Sequence, residues 1–220
     1  NYFVYNEELD GTSRVWLQQT GRSQRVEIIP GGKWPICCKT FSPDGKFIYF
    51  LVTDPRGKRN DLYRVATLGG TIEKVLEDVN SHVSFSPDGG QMIFQRYLAE
   101  KKASSFIIAA SDGKGDQREV LASNEQVKLV YAAWAPDGKT LASSTMFGGS
   151  EVCLWDASST RKITGFNASP GTQPAGMMRR FMFRNGFPLA FSPDGSGLAV
   201  GTDDATVLLT TWQQPQRPNE

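Results

Sequence analysis

FSPDGKFIYF, residues 41–50, holds the end of one strand, a tight corner and the start of a second strand. It recurs as FSPDGGQMIF (85–94), WAPDGKTLAS (134–143) and FSPDGSGLAV (191–200). The corner aspartates are Asp44, Asp88, Asp137 and Asp194, so the repeats are spaced 44, 49 and 57 residues apart. Proline presets φ at the first corner position, aspartate bonds its own backbone, and glycine accepts a positive φ. An apolar run on each side of such a corner reads as an antiparallel pair of short strands.

Working outward, each unit holds two more strands. Asp61–Ala66 and Ser105–Ala110 read as third strands; Thr71–Leu76 and Gln117–Leu121, each beyond a glycine-containing turn, read as fourth strands. Four short strands in every ~40–50 residues is the period of a propeller blade, and no small sheet can bury both its faces alone. A two-sheet sandwich is the competing reading, but it does not require a repeated set of four. The expected fold is all-β: a β-propeller of four-stranded antiparallel blades, about five of them represented. The blades run approximately over 1–32, 33–79, 80–128, 129–187 and 188–212, with a polar tail at 213–220.

The first and last blades are expected to be incomplete. Tyr2–Tyr5 matches a second strand, and the last blade supplies only Leu189–Phe191, Gly197–Thr202 and Thr206–Thr211. Three plus three strands cannot close one four-stranded blade. The simplest expectation is a piece of a longer propeller; a five-bladed arc with imperfect ends is the alternative.

Composition narrows the function. With 24 Lys and Arg against 23 Asp and Glu, the net charge of +1 argues against bulk nucleic-acid binding. No apolar run approaches the ~18 residues of a membrane-spanning helix, and because Asn1 opens directly in strand-like sequence no signal peptide is expected within these residues. Cys37, Cys38 and Cys153 are too few for a disulfide framework, and a bridge between neighbours is strained, so buried thiols are expected.

The repeated S-P-D-G-K unit, followed by alternating apolar residues, resembles the TolB-like, or WD40-like, propeller repeat. Residues 41–89 are most similar to the sensor propellers of bacterial Ser/Thr kinases. EVCLWD (151–156) and GTDDATV (201–207) lean toward the WD-repeat pattern. The hydrogen-bonded tetrad of that family is broken: Gly148 stands at one turn-Asp position, Thr210 at one Trp position, and His82 lies in another blade. The resemblance covers nearly the whole chain and implies a binding scaffold or sensor, in an extracytoplasmic or periplasmic setting, with a cytoplasmic one left open. It also allows the substrate-gating propeller of a prolyl-oligopeptidase-type hydrolase whose catalytic domain lies outside this chain.

The sequence holds no G-x-S-x-G elbow, phosphate loop or calcium loop, and a single histidine cannot supply a multi-histidine metal site. The chain is therefore expected to be non-catalytic, with no cofactor, no metal and no direct membrane insertion. Binding is expected in loops carried by the rigid sheets. Arg56, Lys58 and Arg59 lie between the second and third strands of the second blade, and Lys101 and Lys102 occupy the same place in the third. The insertion at 167–187 adds Arg179, Arg180, Phe181 and Arg184. Arginine, methionine and aromatics suit a protein or peptide partner, and the basic charge favours an acidic one. Glu7, Glu8 and Asp10, in the equivalent loop of the first blade, dilute that field.

Overall fold

A computed structural model describes residues 1–32, 35–54, 59–123, 128–146, 151–168, 188–201 and 206–211. The fold is an all-β propeller of five small antiparallel sheets, three strands in the first and last and four in each of the others. The first sheet is β1 (Tyr2–Leu9), β2 (Thr12–Gln19) and β3 (Arg25–Gly32). The second is β4 (Ile36–Phe41), β5 (Phe47–Thr53), β6 (Asn60–Ala66) and β7 (Glu73–Leu76). The third is β8 (Ser84–Phe85), β9 (Gln91–Leu98), β10 (Ala103–Ala110) and β11 (Arg118–Ala122). The fourth is β12 (Lys128–Trp134), β13 (Thr140–Met146), β14 (Glu151–Asp156) and β15 (Lys162–Asn167). The fifth is β16 (Leu189–Phe191), β17 (Gly197–Gly201) and β18 (Val207–Thr211). Within every sheet the strands pair in chain order, as a meander.

The chain divides into two compact units, Asn1–Tyr97 with Ile107–Arg118, and Leu98–Phe106 with Glu119–Glu220. In the first unit the second sheet is buried on both faces. Ile48, Phe50 and Val65 pack with Val15, Leu17, Ile28 and Ile29 of the first sheet. Tyr49, Leu51, Leu62 and Leu76 pack with Met92, Phe94, Ile107 and Ala109 of the third. Alternate residues of β5 thus enter different cores, because side chains on a strand alternate faces. This explains why FIYFLVT is a continuous apolar run, where a half-exposed strand would show polar residues at every second place. Phe50 and Phe94 are each at most 1% exposed, and burying such a side chain contributes about 1.5–3 kcal/mol. In the second unit Ala142, Val152 and Leu154 of the fourth sheet pack with Leu198 and Val200 of the fifth.

The corners repeat one hydrogen-bond pattern. In the second sheet the Ser42 hydroxyl donates to Asp44 at 2.6 Å and accepts from the Phe47 amide at 3.0 Å. The Asp44 carboxylate also accepts from the Lys46 amide at 3.1 Å. Ser86 with Asp88 and Ser192 with Asp194 repeat it, at 2.5 Å in both cases. In WAPDGKT the serine is replaced by Ala135, and Thr140 supplies the hydroxyl from the other side, donating to Asp137 at 2.8 Å. Gly45, Gly89, Gly138 and Gly195 all take positive φ, between 66° and 72°, as the corner chemistry requires.

Three expectations change. Glu7 and Glu8 lie in β1, not in a loop, because Asp10 (φ 51°) and Gly11 (φ 71°) close a two-residue hairpin turn that extends both strands. The fourth strand of the second sheet starts at Glu73, since Gly69 and Gly70 both hold positive φ just ahead of it. Cys153 is buried as expected, but Cys37 is exposed and Cys38 only partly covered. The cause is a break in the β4–β5 register between Cys37 and Thr40, which turns this part of β4 out of the regular alternation.

Among the described residues, one bond of the WD-like kind is present. The Trp155 indole donates to the Ser143 hydroxyl at 2.8 Å, tying β14 to β13. Gly148 lies outside the described residues.

Candidate functional site

Each meander has two ends, and they differ in chemistry. The basic residues were expected in the β5–β6 connection, in the first unit, and the β9–β10 connection, in the second. Arg59 is not a free cation: its Nε lies 3.1 Å from Asp61 and its Nη1 3.3 Å from Glu77. Lys74 bridges the same two carboxylates, at 2.8 Å and 3.1 Å. Two cations and two anions therefore form a closed, neutral set. Its centre is the Asp61 side chain, only 10% exposed, which also accepts from the Asp78 amide at 3.3 Å. Burial pushes the Asp61 carboxyl upward, but Lys74 and the Asp78 amide outweigh it and hold the acid below its ordinary range.

Lys101 is also engaged. It lies 2.8 Å from Glu119, which accepts a second hydrogen bond of 2.8 Å from the Ser105 hydroxyl. Lys102 is exposed, at φ 48°, closing a short 3-10 turn over Ala99–Lys101. Arg56, Lys58, Arg179, Arg180, Phe181 and Arg184 lie outside the described residues. Sequence reading counted these cations but did not see that carboxylates on neighbouring strands meet Arg59 and Lys101. Asp61, two residues along β6, and Glu119, on β11, were the available signals.

At the other end of the second and third sheets lies a cleft of about 380 Å³ that sequence reading missed. Its apolar lining is Phe47, Tyr49 and Phe85, with Tyr49 and Phe85 edge-to-face at 4.8 Å between centroids. Arg64 lies over the Phe47 ring at 4.7 Å and forms a 2.9 Å ion pair with Glu73. The buried Tyr49 hydroxyl donates to the Ser111 carbonyl at 3.0 Å. The corner residues Ser42, Pro43, Asp44, Pro87, Asp88 and Gly89 form the rim. The Ser42 hydroxyl and the Lys46 amide hold the Asp44 carboxyl at about 2, and Ser86 and the Gly90 amide likewise lower Asp88. Both rim carboxylates are therefore ionised at neutral pH. An aromatic floor, a guanidinium and two anionic corners can receive an amphipathic side chain or a short peptide segment.

A shallower groove of about 500 Å³ follows β7, lined by Lys74, Glu77, Asp78, Arg96 and Gln117 among others. Arg96 donates to the carbonyls of Glu77 and Asp78, both at 2.9 Å, and to Gln117 at 2.6 Å. It serves as a latch within the first unit.

Comparison with known proteins places this geometry among propellers. No family model and no curated protein matches the sequence. Solved structures do. TolB from Acinetobacter baumannii superposes with a TM-score of 0.63 at 18% identity, over 90% of this chain and 49% of that one. The β-propeller domain of the Trilobed protease from Pyrococcus furiosus gives 0.51 at 17% identity, over 77% and 48%. A structure of a nidogen/laminin complex gives 0.59 at 12% identity, over 91% and 70%. At these identities the likeness is one of fold, and the chain spans about half the length of the TolB it matches. Among the described residues no helix is long and apolar enough to cross a membrane, and no cluster of three metal-ligating side chains occurs.

Proposed function

We propose that this chain is a non-catalytic binding scaffold of TolB type, with sheets as rigid support and protein or peptide recognised at the sheet ends. The observation that carries the reading is the aromatic-floored cleft between the Ser42–Asp44 and Ser86–Asp88 corners. One wall is backed by the second sheet, buried on both faces, which keeps the site pre-organised. The reading includes an acidic partner, as the basic residues of the sequence suggest. Arg59 and Lys101 are held in ion pairs, so the candidates for meeting an acidic partner are the remaining sequence-expected residues Arg56, Lys58, Lys102, Arg179, Arg180, Phe181 and Arg184. The fold likeness to TolB supports an extracytoplasmic setting and a bacterial sensor or scaffold role within a larger protein.

Fluorescence anisotropy with acidic, neutral and basic peptides of matched length tests the reading. Acidic peptides are expected to bind more tightly, and reversing Arg179, Arg180 and Arg184 to glutamate removes that preference. Equal binding of all three classes eliminates the acidic-partner reading. Binding that survives Arg64→Ala eliminates the cleft as the site.

The likeness to a protease propeller favours a second reading, a substrate-gating domain of a larger hydrolase. A G-x-S-x-G elbow encoded in the open reading frame beyond Glu220 supports it. A kinase domain and membrane span upstream of Asn1 supports the receptor reading instead.

A further inference from the structure

Cys37 and Cys38 lie on β4 at the register break, where Cys37 pairs with Leu51 and the next paired residue is Thr40, opposite Tyr49. Cys38 and Lys39 together stand opposite Phe50. Cys38 adopts φ 56°, a left-handed conformation that few residues other than glycine accept. In a regular strand adjacent side chains point to opposite faces. Here the bulge overrides that rule, and each thiol shifts the acidity of the other. Cys37 is exposed, while Cys38 packs against the core between the second and third sheets.

We propose that Cys37 and Cys38 form a reversible oxidation site, which a hydroperoxide closes to a vicinal disulfide and a dithiol reopens. The inference is independent of the binding function. The Cys37 thiolate attacks one peroxide oxygen; the S–O bond forms as the O–O bond breaks, and hydroxide leaves. The Cys38 sulfur then attacks Cys37, the S–S bond forms as the S–O bond breaks, and the Cys38 proton leaves with the oxygen as water. Two thiols are oxidised by two electrons, and one hydrogen peroxide is reduced to two waters. A dithiol reverses the change by exchange and is itself oxidised to a disulfide.

The surroundings suit the roles. The neighbouring Cys38 lowers the Cys37 thiol to about 7; partial burial opposes this and the Lys39 ammonium assists it. Cys37 and burial push the Cys38 thiol up, so Cys38 keeps its proton and acts second. Burial, assisted by the charge of Lys39, holds His82 below its ordinary range. Cys153 offers the contrast: burial raises its thiol to about 11. A ring closed over one peptide bond is strained, which makes it easy to reduce and so suited to cycling.

The test treats the full chain with hydrogen peroxide, labels free thiols with N-ethylmaleimide, and maps the peptides by mass. The Cys37–Cys38 peptide is expected to lose two hydrogens and take no label, then to recover both labels after dithiothreitol. Cys38→Ser is expected to stop at the sulfenic acid, captured on Cys37 as a dimedone adduct. Without oxidant, Cys38→Ala is expected to slow iodoacetamide labelling of Cys37 about tenfold at pH 7, as its thiol returns toward the ordinary range. Retention of both labels after peroxide overturns the proposal. So does a Cys38→Ser protein that yields no dimedone adduct.

Discussion

Gly113→Ala isolates one close contact between the second sheet and the third. Gly113 sits in the β10–β11 turn at φ 77°, and a Cβ there would lie 2.2 Å from the Val75 carbonyl oxygen and 2.9 Å from Val75 Cγ1. Gly115, two residues on, has the same φ of 77° but nothing within 4 Å of its would-be Cβ. Alanine at either position therefore meets the left-handed penalty of about 1–2 kcal/mol. Only position 113 adds a steric cost. The backbone oxygen must retreat by roughly 1 Å to reach an ordinary contact, and overpacking of this kind costs about 1–3 kcal/mol. At about 2–4 °C per kcal/mol for a chain of this size, mid-range values place Gly113→Ala roughly 4–8 °C below Gly115→Ala in thermal midpoint. Parallel melts followed by circular dichroism, with urea titrations as a check, measure the difference. Equal midpoints for the two variants would refute the claim that Val75 and the β10–β11 turn are in tight contact.

Thr140→Val removes the hydroxyl that stands in for the missing corner serine and is expected to cost about 1–2 kcal/mol in a urea titration; Ala135→Ser in the same background recovers much of it. Asp61→Ala leaves Arg59 and Lys74 without their shared carboxylate and the Asp78 amide without its acceptor, for a loss of about 1–3 kcal/mol. Asp61→Asn keeps an acceptor for that amide and loses less by the same measurement. Asp44 and Asp194 have carboxyls depressed from 3.8 to about 2 in the folded chain, so their contribution is complete above the unfolded value and fades as acid protonates the folded form. The thermal midpoint is thus expected to stay level from neutral pH down to about 5 and to fall between about pH 4 and pH 2. A midpoint that instead rises on acidification contradicts the corner assignment.

The repeat made the fold legible because the corner chemistry is local. Ser42, Asp44 and Gly45 complete their bonds within six residues, so their spacing alone marks where a strand must reverse. The site was far less visible. Phe47, Arg64, Phe85 and Ser111 come from four strands or turns across two sheets, and nothing in their linear order announces a shared cleft. The second ion pair of Arg59 depends on Glu77, 18 positions away, which only the β6–β7 pairing brings near. The exposure of Cys37 hinges on one inserted residue in β4, which apolar patterning does not register.

The self-contained corner has an evolutionary consequence. A joint whose geometry is encoded within half a dozen residues tolerates recombination at its boundary, because a duplicated unit brings its own reversal with it. Ala135 with Thr140 shows the same joint rebuilt from different letters, so descendants of one ancestral module can drift in sequence while remaining interchangeable in shape. Such a chain lengthens or shortens by whole modules, and its loops diversify without renegotiating the scaffold.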